Sequence, residues 1–233
     1  MKNDPFSGRY PLVMIHVVPL DVDSWPALEA LFREGGDPRW CWCQWWRMRS
    51  KDFAAAKVPE LRSRLYALAE GAASPGLVAL ERAAPYDRSG TGSSGAASEL
   101  TSSTARAVGW VSLGPRADFE RIVRSKVVPA IDSRPVWSIV CFAVSASARG
   151  HGVARTLLEG AIAHARDRGA EALEAYPVLV EDGRDINAAS AFTGTLPMFK
   201  KLGFRVVAER ASNPSALRQR VVVRRDLRER AMD

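Results

Sequence analysis

The sequence predicts an α/β fold in which helices cross over a mixed sheet. Short runs of β-favouring apolar residues recur along the chain, and amphipathic runs of helical spacing separate them. At the centre, Val136 to Gly169 places a strand, a glycine-rich turn and a long helix directly one after another. The strand is V-W-S-I-V-C-F-A-V, apolar enough to be buried on both faces. After Gly152, the apolar positions Val153, Ala154, Leu157, Leu158, Ala161, Ile162 and Ala165 fall on one helical face, and Gly169 stands where a helix ends.

The other elements follow in order. Residues 1–10 read as a flexible tail, and 11–233 as one domain. Val13 to Val18 is β-branched and apolar, a first strand. Asp23 or Ser24 caps a helix that carries Trp25, Leu28, Leu31 and Phe32 and stops at Gly35-Gly36. Beyond the stretch Asp37 to Met48, a second helical run starts at Ser50 or Asp52. It is interrupted or restarted by Pro59, shows one face in Leu61, Leu65 and Leu68, and closes at Gly71. Leu77 to Arg82 is a strand. Residues 83–104 are small and polar and read as a flexible insertion. Ala107 to Leu113 resumes the sheet, and Asp118 to Lys126 forms a short helix or an ordered loop. After the central helix, residues 171–178 form a strand, and Glu181 to Gly194 a polar loop. Thr195 and Pro197 open a short helix that runs to Leu202. Val206 to Glu209 and Gln219 to Arg225 complete the sheet.

Composition narrows the function. A hydrophobic content of 47% suffices for a core, yet no run reaches the roughly 18 apolar residues of a membrane span. The first residues hold no apolar signal core. Three cysteines make no disulfide framework, so a reduced, cytoplasmic protein is expected. Cys41 and Cys43 lack further ligands nearby, so no metal is expected. The net charge of +7 is concentrated near the end, from Arg218 to Arg230. It suits a polyanionic cofactor or a solvated surface. Without an aromatic stacking platform it does not point to nucleic acid.

The turn after the central strand has a chemical use. The first turn of a helix carries unpaired N–H groups and the positive end of its dipole, and glycines let the backbone approach an anion such as a diphosphate. The dinucleotide pattern G-x-G-x-x-G fails because Arg155 takes its third position, and the P-loop ending G-K-[ST] is missing. Arg149-Gly150-His151-Gly152-Val153-Ala154 does fit R/Q-x-x-G-x-G/A, with apolar Val144 five residues before it. Met198 to Phe204 ends in K-L-G-F. In both motifs and their order, the chain resembles the GNAT acetyltransferase superfamily. The resemblance covers most of the chain and is strongest from Val136 to Phe204. It implies a mixed, mainly antiparallel central sheet with flanking helices. It also implies acetyl-CoA as acyl donor, with its diphosphate on the amides of Arg149, Gly150, His151, Gly152, Val153 and Ala154. Pantetheine would pair beside Phe142, Ala143 and Val144, and Asn187 would be the polar residue that precedes the second motif. The activity so implied is transfer of acetyl to a primary amine, that of a small molecule. A protein amine, or a non-enzymatic acyl-CoA sensor, are the alternative readings. The family also admits a homodimer.

Acetyl transfer needs a polarised thioester, a deprotonated amine and a stabilised thiolate. Where many members of the family carry a tyrosine as general acid, this chain has Phe199, which donates nothing. Tyr176 and Thr195 remain as hydroxyl donors. Glu174, on the same strand face as Tyr176, is a candidate base or else an exposed strand carboxylate. His151 belongs with the diphosphate turn, and Cys141 reads as a small core residue. In Trp40-Cys41-Trp42-Cys43-Gln44-Trp45-Trp46, four tryptophans stand within seven residues. Trp42 and Trp45 are expected to line an aromatic acceptor site for an apolar or cationic group; the alternative is that these rings close the core.

Overall fold

A computed structural model describes residues 13–83, 105–125, 130–177, 192–209 and 221–228. In chain order the elements are β1 (Val13–Pro19), α1 (Trp25–Arg33), α2 (Pro38–Cys41), α3 (Ser50–Ala55), α4 (Val58–Ala69), β2 (Gly76–Ala83) and β3 (Arg106–Pro115). Then come α5 (Glu120–Val123), β4 (Trp137–Val144), α6 (Val153–Asp167), β5 (Ala172–Ala175), α7 (Leu196–Lys201), β6 (Arg205–Glu209) and β7 (Val221–Asp226). The strands form one sheet in the order β1-β2-β3-β4-β5-β7-β6. Neighbours are antiparallel, apart from the parallel pair β4–β5. This is the mixed, mainly antiparallel sheet expected from the sequence.

Each face of the sheet buries its own cluster. On one side α6 lays Val153, Leu157, Leu158, Ala161, Ile162 and Ala165 over the sheet, with Leu77, Val111, Ile139 and Val223 beneath. The apolar positions read as one helical stripe are the buried ones, and Gly169 follows the helix with φ +77°. On the other side α1 buries Trp25, Leu28, Leu31 and Phe32, and α4 buries Leu61 and Leu65, together with Trp110 and Val140 of the sheet.

Several local expectations change in detail. Ser24 stands at the start of α1 but makes no side-chain cap bond to the helix; its Oγ instead meets Asp21 Oδ1 at 2.7 Å. Two separate helices start at Ser50 and Val58, with Pro59 in the first turn of the second, because Ala56 and Lys57 are extended between them. The segment Asp118 to Lys126 resolves into a 3-10 turn at Arg116–Asp118 and the single turn of α5. β5 is shorter than residues 171–178, since its ladder with β7 runs only from Ala172 to Ala175. The tail 1–10, most of the insertion and Asn187 lie outside the described residues.

Candidate active site

The site begins where the sheet splits. β4 and β5 pair in parallel from Trp137↔Leu173 to Ile139↔Ala175, where β5 stops. β4 continues to Val144, still bonded to β3 on its other edge. Among the described residues its free edge is touched at one place, where the Phe142 N–H donates to the Phe192 carbonyl at 2.6 Å. From this opening the chain runs through Ser145 into the turn that starts α6.

That turn has the geometry of an anion seat. Gly150 and Gly152 adopt φ +80° and +81°, and a Cβ on either would face open space. Thr156 N–H donates to Gly152 O at 3.0 Å, so the amides ahead of it in the first helical turn point outward without an intrahelical acceptor. A cavity of about 730 Å³ reaches from this turn along β4. It is lined by Phe142, Ala143, Val144, Arg149, Ala154 and Thr195, and also by Arg106. Arg106 is held by Glu34, Ser145 and Ser147, each at 3.0 Å. Ser145 Oγ donates to the second oxygen of Glu34 at 2.7 Å. That bond is the leading cause holding the Glu34 carboxyl below the usual range. His151 is exposed on the turn.

A second cavity, about 790 Å³, lies against the same strand. Its walls are largely aromatic: Trp40, Trp45, Trp46, Phe53, Phe142, Tyr176 and Phe192. The two cavities share Asp37, Pro38, Phe142 and Phe192, so they meet at the free edge of β4.

The tryptophan segment divides between core and cavity. Trp42 and Cys43 both take left-handed backbone, φ 45° and 52°, which turns the chain sharply after α2. Trp42 is thereby driven inward; it is 4% exposed, stacked on Trp25 at 5.9 Å and tilted on Phe32 at 5.4 Å. It does not line the second cavity, and the expectation that it would line an aromatic site is corrected. Trp45 does line it, edge-on to Phe53 at 5.1 Å, with the Arg121 guanidinium 3.7 Å from its ring centre. Cys43 and Cys141 face each other at 3.7 Å in the cavity floor. Among the described residues no group of three or more His, Cys, Asp or Glu side chains is placed to hold a metal ion.

Glu174 is not an exposed strand carboxylate. It is 1% exposed, paired with Arg224 at 2.6 Å and close to Arg116 at 3.6 Å, and it lines neither large cavity. Tyr176, which lines the second cavity, bonds its hydroxyl to Ser138 Oγ at 2.9 Å and Glu174 Oε2 at 3.2 Å. Burial first, and then the Glu174 charge, push the Tyr176 phenol well above its ordinary value. Phe199 is fully buried, edge-on to Phe142 and Phe204. Sequence reasoning passed over Asp37 and Arg121. The first was only half of an Asp-Pro turn signal, and the second lay in a segment with no motif.

A sequence model of the Acetyltransferase (GNAT) family matches residues 78–204, more than half of the chain. No curated protein matches the sequence. Among solved structures, the fold is similar to a GCN5-related N-acetyltransferase from Kribbella flavida. That pair shares 19% identity and a TM-score of 0.48, over 91% of this chain and 98% of the other. It is also similar to a structure described as histone acetyltransferase HPA2 and related acetyltransferase, from Corynebacterium glutamicum. There the identity is 17% and the TM-score 0.49, over 93% and 98% of the two chains. The ribosomal-protein-S18-alanine N-acetyltransferase of Escherichia coli matches with 14% identity and a TM-score of 0.44, over 94% and 98%.

Proposed function

The chain belongs to the Acetyltransferase (GNAT) family, and from that premise we propose that it moves an acetyl group from acetyl-CoA to the primary amine of a small molecule. The observation that carries this reading is the meeting of two cavities at the free edge of β4. One has the character of a donor site. Its α6 amides, open glycine positions and two arginines, Arg106 and Arg149, fit a phosphate-rich ligand. The other has the character of an acceptor site, with walls that exclude water and hold an apolar body.

Acetyl-CoA brings an activated acyl group; the chain supplies placement and surroundings. Arg149 to Ala154 would hold the diphosphate, and the edge from Phe142 to Val144 the pantetheine arm. Thr195, at the wall of the donor cavity, is a candidate hydroxyl donor for the departing sulfur. Trp45 would pack the acceptor. With its charge balanced by Arg224, Glu174 takes the part of a structural anchor in this proposal. Three free thiols suit a reducing, cytoplasmic setting.

Calorimetric titration with acetyl-CoA, with CoA as control, tests the donor half. Saturable, near-stoichiometric binding is expected. Gly152→Val should weaken it by more than about tenfold, because the side chain would rise into the phosphate approach from a left-handed position. No binding by folded wild-type protein would overturn the reading.

A further inference from the structure

The acceptor cavity has uneven charge. Among the described residues, its lining holds one carboxylate, Asp37, and one cation, Arg121. They occupy different parts of it. Asp37 belongs also to the donor cavity and so stands at the junction; Arg121 and Trp46 line the acceptor cavity only.

Neither charge is paired within the described residues. Asp37 begins α2 and is exposed, and its carboxylate has no ion pair there. Its field reaches the neighbouring Cys41 thiol, a fellow lining residue. Arg121 donates from Nε to the Trp45 carbonyl at 2.6 Å and from Nη1 to Ser50 Oγ at 2.7 Å. Its Nη2 is buried without a partner, as is Trp46 Nε1. Burial pushes the Arg121 guanidinium below its ordinary value, as it does for a cation that no carboxylate balances. A guanidinium that lines the cavity with no carboxylate partner among the described residues favours an acidic group on a ligand there.

We propose that the acceptor is a zwitterion with an apolar, aromatic body: its ammonium is set by Asp37 at the junction, and its acidic group by Arg121, which lines the acceptor cavity only. This rests on the acetyltransferase reading above. Asp37 is then the catalytic base. The ammonium gives one proton to the Asp37 carboxylate, directly or through one water. The freed nitrogen lone pair forms the C–N bond at the thioester carbonyl as the C–S bond breaks, and the electron pair leaves on the CoA sulfur. The nitrogen's surplus proton passes to that sulfur, so the products are amide and CoA thiol, with one proton released from Asp37 to solvent. The aromatic walls make the body of the acceptor part of recognition.

Matched probes separate the charges. Benzylamine is compared with 4-(aminomethyl)benzoate, and phenethylamine with L-phenylalanine, by CoA release with acetyl-CoA saturating. In at least one pair the carboxylate-bearing member should have a kcat/KM at least about tenfold higher. Arg121→Gln should lower kcat/KM for the carboxylate-bearing member far more than for its plain partner, bringing the ratio between them to within about twofold. Asp37→Asn should slow both members by about a hundredfold, with acetyl-CoA affinity unchanged by calorimetry. Equal rates within both pairs would overturn the inference, as would an Arg121→Gln variant that slows both members alike. Wild-type rates in Asp37→Asn would also overturn it. Acetyl-CoA binding with no turnover of any of the four probes would sink the zwitterion while leaving the donor reading intact. Loss of acetyl-CoA binding in folded wild-type protein would sink both.

Discussion

At the scale of single residues, position decides what a tryptophan does. Trp42 and Trp45 lie three apart in the sequence, but the left-handed turn at Trp42 and Cys43 sends the first ring into the core and leaves the second 42% exposed at the cavity. Trp42→Ala should therefore cost about 3–5 kcal/mol of stability, read by denaturant unfolding. Trp45→Ala should leave the unfolding midpoint almost unchanged and raise KM for an amine acceptor. Equal destabilisation by the two variants would contradict the division. That division was not legible in the chain. Four tryptophans announce something unusual, but which of them face inward depends on two backbone angles that no periodicity encodes. Glu174 was misread for a related reason. Strand alternation placed it beside Tyr176, and only the fold brings Arg224, fifty positions away, within 2.6 Å.

At the scale of elements, the seat at the start of α6 depends on how closely that helix lies on β3. A Cβ on Gly109 would stand 2.6 Å from Val153 Cγ1 and 2.9 Å from Leu157 Cδ1, too close for real contacts. Gly109→Ala should thus displace the first turns of α6, cost about 1–3 kcal/mol of stability, and weaken acetyl-CoA by calorimetry. Unchanged affinity in the folded variant would show that the turn adjusts on its own. The central strand–turn–helix was readable because each of its signals is local: a β-favouring run, two glycines at left-handed angles, and an apolar stripe at helical spacing. The longer helices before it were readable for the same reason, unlike α2 and α5, whose four residues each are too few to show a period. The splitting of β4 from β5 left no local mark, since strand partners are chosen by residues far apart in the chain.

At the scale of the molecule, Arg224 ties β7 to β5 through Glu174 and to Asp132 in the approach to β4. The Arg224 hydrogen bond is the leading cause that holds Asp132 down to about 2. A carboxyl depressed in the fold lends stability above its ordinary value near 4, and that share disappears as pH falls towards about 2. Wild-type stability should fall across this window, and Asp132→Asn should flatten that part of the curve in urea unfolding at stepped pH. An unaltered slope would place the acid sensitivity elsewhere. The whole molecule also has one feature in which ligand binding and solubility meet. Past Ile139, β4 presents a sheet edge whose backbone groups would pair with any extended chain that came near. Among the described residues, the Phe192 carbonyl blunts that edge with a single bond to Phe142, and that one contact is what guards it against edge-to-edge pairing. An extended ligand arm laid along β4 would cover those backbone groups as an added strand does, so one stretch of backbone would serve recognition and protection alike.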